Sequence, residues 1–249
     1  MNFKFIALAL VLGCLLLAGC AEKKPLYVPT PTPTVVLATP EPTLVPTPEP
    51  TIAPTAEPTA VPTPTPLPFG TLFFDDFEDR NATAGKWVFD SKWKMGEKSN
   101  RTALIAVVSL SEANSVASFG SGNWTDYVVR FKFWLGGGGF RLIARNSSAG
   151  AYIAEIMPNT ANLRIQHGSS SNANVVLTSA LGRGQDQHRL NESSWHDLEF
   201  SLKRNNVKLN IDGIPVFDYS DNSFSSGSVA LMTVDGVFLA VDDVNVSTS

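Results

Sequence analysis

Three features of the sequence predict an all-β domain of two stacked antiparallel sheets, preceded by a long proline-rich segment. Apolar and polar side chains alternate through much of residues 69–249, a period of two rather than 3.6. Turn-forming pairs, Asp212-Gly213 and Asp235-Gly236 among them, separate the alternating runs. No part of that region carries a convincing amphipathic-helix pattern. Short strands at intervals of roughly 8–14 residues, punctuated in this way, build a β-sandwich.

The clearest strand is residues 127–135. Tyr127, Val129, Phe131, Phe133 and Leu135 fall on one face, and Val128, Arg130, Lys132 and Trp134 on the other. In the next run Phe140, Leu142 and Ala144 oppose Arg141, Ile143 and Arg145. Four glycines, 136–139, read as a flexible turn joining the two runs into a long hairpin. Further strands are expected at 152–157, 163–166, 175–181, 195–202 and 207–211. The Asp-Gly pairs predict two tight hairpins, one joining 207–211 to 214–217 and one joining 229–234 to 237–246.

The first 68 residues obey other rules. Lys4 precedes an apolar run over 6–17, broken only by Gly13. About a dozen apolar residues are too few to span a hydrocarbon core, which takes about 20, but suit the apolar region of an export signal. Leu17, Ala18, Gly19 and Cys20 follow, and this string resembles the lipobox of bacterial lipoproteins. The resemblance implies removal of residues 1–19, lipidation of Cys20, and a lipid-anchored protein on the extracytoplasmic side of a bacterial cell membrane. More than one acyl chain is needed for stable anchoring. Cys14 lies in the discarded signal, so Cys20 would be the only cysteine left. That excludes a disulfide, a Cys-based metal site or a thiol nucleophile in the domain.

Residues 20–68 are expected to be a lipidated cysteine followed by a disordered Pro/Thr-rich linker. Residues 21–68 hold 15 of the 17 prolines and 11 threonines. Proline fixes φ and lacks an N–H, so this segment can build neither helix nor sheet. As polyproline II it would extend about 3.1 Å per residue, roughly 150 Å in all. All five tryptophans lie after Pro68. Within 69–249, 16 Lys and Arg face 19 Asp and Glu, a net charge of −3. A nucleic-acid partner, which needs a basic surface, is not expected.

Within 69–249 the order of motifs resembles the concanavalin A-like lectin/glucanase superfamily, jelly-roll domains that include the laminin-G-like group. The carrying strings are 73–78 (FFDDFE), 124–127 (WTDY), 195–200 (WHDLEF), 207–213 (VKLNIDG), 227–231 (GSVAL) and 241–244 (VDDV). The resemblance implies that first and last strands pair side by side, with six or seven strands per sheet and a concave sheet that commonly holds glycan. Function does not follow from the fold, since it hosts lectins, glycosidases, lyases and adhesion modules.

Glycoside hydrolysis needs two carboxylates across the scissile bond. The superfamily's glucanases carry them as Glu-x-Asp-x-x-Glu, and no such string occurs here. Asp197 and Glu199 come nearest, about 6.7 Å apart on one strand face, and are expected to point to water opposite Leu198 and Phe200. The Arg, Gln, His and Tyr set used by the superfamily's lyases has counterparts in Arg164, Gln166, His167 and Tyr152. Alternation puts His167 on the face opposite Arg164 and Gln166. His196, beside Trp195, is read as a packed strand residue. No catalytic residue is therefore assigned.

Binding is the better-supported expectation. Trp134, Arg130, Lys132, Arg141, Arg145, Glu155, Arg164 and Gln166 all fall on the polar side of their strands. An indole face for stacking, with forked donors for hydroxyls or carboxylates, is the chemistry sugars require. Trp134 carries most of this reading, and the arginines suit an anionic glycan. The resemblance also implies a structural Ca²⁺ between the terminal strands. Asp76 and Asp243 are the leading ligands, with Asp75, Glu78, Asp79 and Asp242 nearby in sequence, hard oxygens of the kind Ca²⁺ takes six to eight of. The expected function is a surface-anchored, non-catalytic carbohydrate-binding module. The alternatives are an extracellular glycoside hydrolase or polysaccharide lyase, and a structural or protein-adhesion domain.

Overall fold

The computed structural model describes residues 68–169, 173–181, 190–191 and 194–249. The expected signal, Cys20 and nearly all of the Pro/Thr segment lie outside the described residues. Fifteen strands and one short helix are described, in the order β1 (Thr71–Asp75), α1 (Arg80–Ala84), β2 (Trp87–Phe89), β3 (Trp93–Lys98), β4 (Arg101–Val107), β5 (Val116–Phe119), β6 (Tyr127–Gly136), β7 (Gly139–Ser147), β8 (Gly150–Met157), β9 (Thr160–His167), β10 (Asn174–Ala180), β11 (His196–Lys203), β12 (Asn206–Ile211), β13 (Ile214–Ser220), β14 (Ser228–Val234) and β15 (Phe238–Thr248). All strand pairs are antiparallel.

An eight-stranded sheet runs β13-β12-β11-β6-β15-β4-β3, with β1 also on β15, and a seven-stranded sheet runs β10-β9-β8-β7-β14-β5-β2. The first and last strands pair as expected, Thr71 opposite Ser247 and Asp75 opposite Val244. β4 takes the preceding part of the same edge of β15, Phe238 to Val241. The alternating apolar faces meet between the sheets. Phe131, Phe133, Leu198, Phe200 and Leu209 from one layer pack with Phe140, Leu142, Tyr152, Ile156 and Leu163 from the other. This is the two-layer sandwich that the period of two demands.

Two expected hairpins are not hairpins. The Asp212-Gly213 turn does join paired strands, β12 and β13, with φ of 52° and 75°. Asp235-Gly236, with φ of 52° and 62°, instead links β14 of one sheet to β15 of the other. The glycine turn likewise passes from β6 to β7, in different sheets, with Gly137 and Gly138 at φ of 66° and 50°. The two crossings lie against each other: a Cβ on Gly138 would come within 2.6 Å of the carbonyl oxygens of Val234 and Asp235. A β6–β15 ribbon in one sheet therefore turns a corner and continues as β7–β14 in the other. Positive φ at both corners is what glycine and aspartate supply cheaply.

Candidate functional site on the outer face of the seven-stranded sheet

The corner decides which polar residues share a surface. Arg130, Lys132 and Trp134 lie on the outside of the eight-stranded sheet, whereas Arg141, Glu155, Arg164 and Gln166 lie on the outside of the seven-stranded one. The single binding face expected from the alternation is thus two faces on opposite sides of the sandwich. Arg145 belongs to neither. Its φ of 47° turns it out of the strand pattern, and its side chain is 1% exposed. Its guanidinium donates to the carbonyls of Thr125, Arg204 and Phe224 and to Asp126. Its backbone N–H donates to the Tyr127 hydroxyl at 2.6 Å. Arg145 is a structural tie between loops.

On the seven-stranded sheet, strand register lines up Met232, Arg141, Glu155, Asn162 and Thr178 across β14, β7, β8, β9 and β10. Polar atoms bridge most of this row. Thr178 Oγ1 donates to Asn162 Oδ1 at 2.8 Å, and Asn162 Nδ2 to Glu155 Oε2 at 2.9 Å. Arg141 reaches Glu155 Oε1 through Nε at 2.8 Å and Nη2 at 2.7 Å. Arg164, from the next row, reaches Oε2 through Nε at 2.9 Å and Nη2 at 2.7 Å, and its Nη1 donates to the Ala173 carbonyl. Two forked guanidiniums hold one carboxylate. Burial works to raise the Glu155 pKa, but hydrogen bonds from Arg164, Asn162 and Arg141, with the charge of Arg141, overcome it and hold the carboxyl below its ordinary value.

The middle of this face is more shielded than its margins. Ala151, Ile153 and Glu155 point away from the core yet are 1%, 2% and 4% exposed, while Val116 and Val175 on the flanking β5 and β10 are 41% and 47% exposed. Half-buried Ile143 and Met232 flank Arg141. The result is a face with an apolar margin and an oriented donor group at its centre. Alternation in the sequence placed Arg141, Glu155, Arg164 and Gln166 together, and the structure joins the first three directly. Asn162 and Thr178 escaped that reading, although Asn162 is two residues from Arg164 on the same strand face.

The opposite face has a different character. Arg130 and Lys132 sit directly across from Glu199 and Asp197, and form ion pairs of 2.8 and 2.5 Å. These four line a shallow depression of about 360 Å³ with Asn210, Gly213 and Asp243. Trp134 meets Trp195 edge to face. Lys98 Nζ sits 4.2 Å from the Trp134 ring centre and the Arg101 guanidinium 5.7 Å from that of Trp195. The β3–β4 hairpin tip therefore delivers cations onto the aromatic pair that the sequence offered as a stacking platform.

The residues expected to hold Ca²⁺ do not gather. Among the described residues no three His, Cys, Asp or Glu side chains form a metal-holding group. Asp75 accepts from Trp87 Nε1, Thr83 Oγ1 and Phe77 N, and Asp79 caps α1. Asp76 and Glu78 accept from Glu78 N and Thr102 Oγ1. Asp242 and Asp243 share Arg101 through its Nε and Nη2. A guanidinium occupies the position of the expected cation, so this donor set does not fit the metal.

The remaining titratable constellations are structural in form. Ser194 Oγ lies 3.4 Å from His196 Nε2, and His196 Nδ1 lies 2.7 Å from Asp212 Oδ2, a Ser-His-Asp order. However, Ser194 donates to the Asn191 carbonyl, and His196 Nε2 lies 3.0 Å from both the N–H and the carbonyl oxygen of Asn191. The Ser194 hydroxyl proton is thus directed to a backbone carbonyl rather than to the imidazole that a nucleophile requires. Tyr152 faces the core, its hydroxyl on Asp221 with its pKa pushed up to about 12 by burial, away from Arg164 and Gln166.

No protein-family model matches the sequence, and comparison with curated proteins gives no match. Solved structures do match. Carbohydrate-binding module CBM66 from Bacillus subtilis aligns with a TM-score of 0.51 at 14% identity, over 66% of this chain and 96% of that one. The laminarinase from Flavobacterium sp. UMI-01 aligns at 0.53 and 12%, over 72% and 100%. A Bacteroides ovatus family 16 glycoside hydrolase, solved with a mixed-linkage glucan product, aligns at 0.51 and 13%, over 70% and 99%. These likenesses show the fold, a two-sheet jelly-roll sandwich.

Proposed function

We propose that this chain is a non-catalytic carbohydrate-binding module, carried on a Pro/Thr stalk and anchored to the outside of a bacterial membrane through Cys20. The Arg141–Glu155–Arg164 group on the shielded middle of this face carries the reading. A donor group locked by a buried carboxylate loses little freedom when a ligand arrives, which is the condition for sugar binding by few contacts. Ile143 and Met232 supply apolar surface for the C–H side of a sugar ring. The solved neighbours include a carbohydrate-binding module and glucanases, both of which act on glycans from this fold.

The state of the acids favours binding over hydrolysis. A glycosidase needs one carboxyl kept protonated and a second left free. Glu155 is held ionised by two arginines, and Asp197 and Glu199 each sit in an ion pair with a cation across the strand. The test is retention of the full-length chain on a panel of immobilised polysaccharides, with product release followed in parallel. Binding without release of reducing ends, weakened about tenfold or more by Arg141→Ala, is the expected result; one lost charge-assisted hydrogen bond of about 1.5–3 kcal/mol accounts for it. Steady release of sugar would show an enzyme instead.

A further inference from the structure

Resting on that reading, we infer that the glycan is acidic: this face takes a polysaccharide bearing carboxylates, and the free edge of Arg141 receives one of them. Arg141 spends Nε and one Nη2 proton on Glu155. Its Nη1 has no protein acceptor among the described residues, and the side chain is 24% exposed. The outward edge of the guanidinium thus presents a second pair of parallel N–H donors, the geometry that matches both oxygens of a carboxylate.

The charge distribution points the same way. Of the outward-facing described residues on β2, β5, β7, β8, β9, β10 and β14, Glu155 is the one acid, and Arg141 and Arg164 outnumber it. These described strand residues sum to +1, in a domain (69–249) whose net charge is −3. Asp197, Glu199, Asp242 and Asp243 are all on strands of the other sheet. A face for neutral sugar has no need of that segregation, and amides or hydroxyls would serve it. Glu155 fixes both guanidiniums without cancelling them, so the positive edge is rigid as well as charged.

The experiment compares polygalacturonate with its fully methyl-esterified form, which keeps the backbone and removes the charge. Alginate, hyaluronan, a sulfated carrageenan, laminarin and barley glucan complete the set, and the full-length chain is the binder. At least one carboxylated polymer should be retained, tenfold or more tighter than the neutral polymers. For a uronate ligand, esterification should abolish the difference. Arg141→Gln should lose the acidic preference, and Arg141→Lys, which keeps the charge but not the fork, should restore only part of it. Circular dichroism and melting of each variant separate lost binding from lost folding. Equal or tighter retention on laminarin or barley glucan would overturn the acidic ligand and leave the binding module standing. Retention on carrageenan alone would replace carboxylate by sulfate and overturn it too. If no polymer is retained, the binding-module reading itself falls.

Discussion

Trp134 and Trp195 meet edge to face on the outside of the eight-stranded sheet, with ring centres 6.1 Å apart and planes at 80°. Lys98 and Arg101 cover them from the β3–β4 hairpin tip. Such cation–aromatic contacts contribute about 0.5–1 kcal/mol each at part-exposed sites. This pair therefore fastens a hairpin rather than offering a bare ring to a sugar. Trp134→Ala should lower stability by about 1–3 kcal/mol in urea titrations and leave polysaccharide affinity within about twofold of the parent. A tenfold loss of affinity in the folded variant would move the binding face to this side.

The corner gives a second prediction. Gly138 has φ of 50°, and a Cβ there would press on three backbone carbonyls, those of Val234, Asp235 and Gly236. Left-handed backbone costs a non-glycine residue about 1–2 kcal/mol before any clash is counted. Gly138→Ala should thus destabilise by at least about 2 kcal/mol in urea titrations. Gly213→Ala, where a Cβ meets nothing within 4 Å, should show the backbone cost alone. Equal losses at the two positions would mean that the crossings do not pack as described.

These particulars show what the sequence could and could not convey. Alternation states whether a side chain points in or out, and it did so correctly for Phe131, Phe133, Leu142 and Ala144 and for Arg130, Lys132 and Arg141. It carries no information about which layer a strand joins. A tight turn with positive φ serves a hairpin and a corner equally, so 136–139 and 235–236 read as hairpins although each crosses between sheets. Arg145 defeated the pattern for a local reason: one left-handed residue rotates the strand and sends an expected surface guanidinium inward. The acids of β1 and β15 were recognisable as neighbours, but Arg101, distant in sequence, could not be matched to Asp242 and Asp243 without the pairing of β4 with β15.

Arg101 supplies the third prediction. The Asp242 carboxylate is 4% exposed and burial raises its pKa, so it depends on the guanidinium for compensation. The melting temperature of the parent protein should be unmoved by EDTA or by millimolar Ca²⁺. Arg101→Met should cost about 3 kcal/mol, since it strands a buried charge beside a second carboxylate. A drop of several degrees in the parent on adding EDTA would restore the metal and contradict the fit of Arg101 between these acids.

The last prediction concerns pH. Because the folded-state pKa of Glu155 lies below its ordinary value, the folded protein binds its proton less readily than the unfolded chain does. The carboxylate therefore contributes stability that is present above the unfolded pKa, about 4.3, and is lost as pH falls through the folded value. Asp242 has the opposite sign: its raised pKa gives stability that is present at low pH and fades as pH rises through the folded value. Glu155→Gln should accordingly do two things at once. At pH 7 it should cost about 3 kcal/mol, the penalty for leaving two partly buried guanidiniums around a neutral amide. As pH falls from the unfolded pKa through the folded value it should also flatten the fall in stability, by up to about 1.4 kcal/mol per pH unit, because one linked proton has been removed. The measurement is the free energy of unfolding from urea titrations at half-unit pH steps, for the parent and the variant. Parallel acid limbs for the two proteins would mean that Glu155 is not held ionised by Arg141 and Arg164, and the rigid donor edge on which the binding face depends would lose its support.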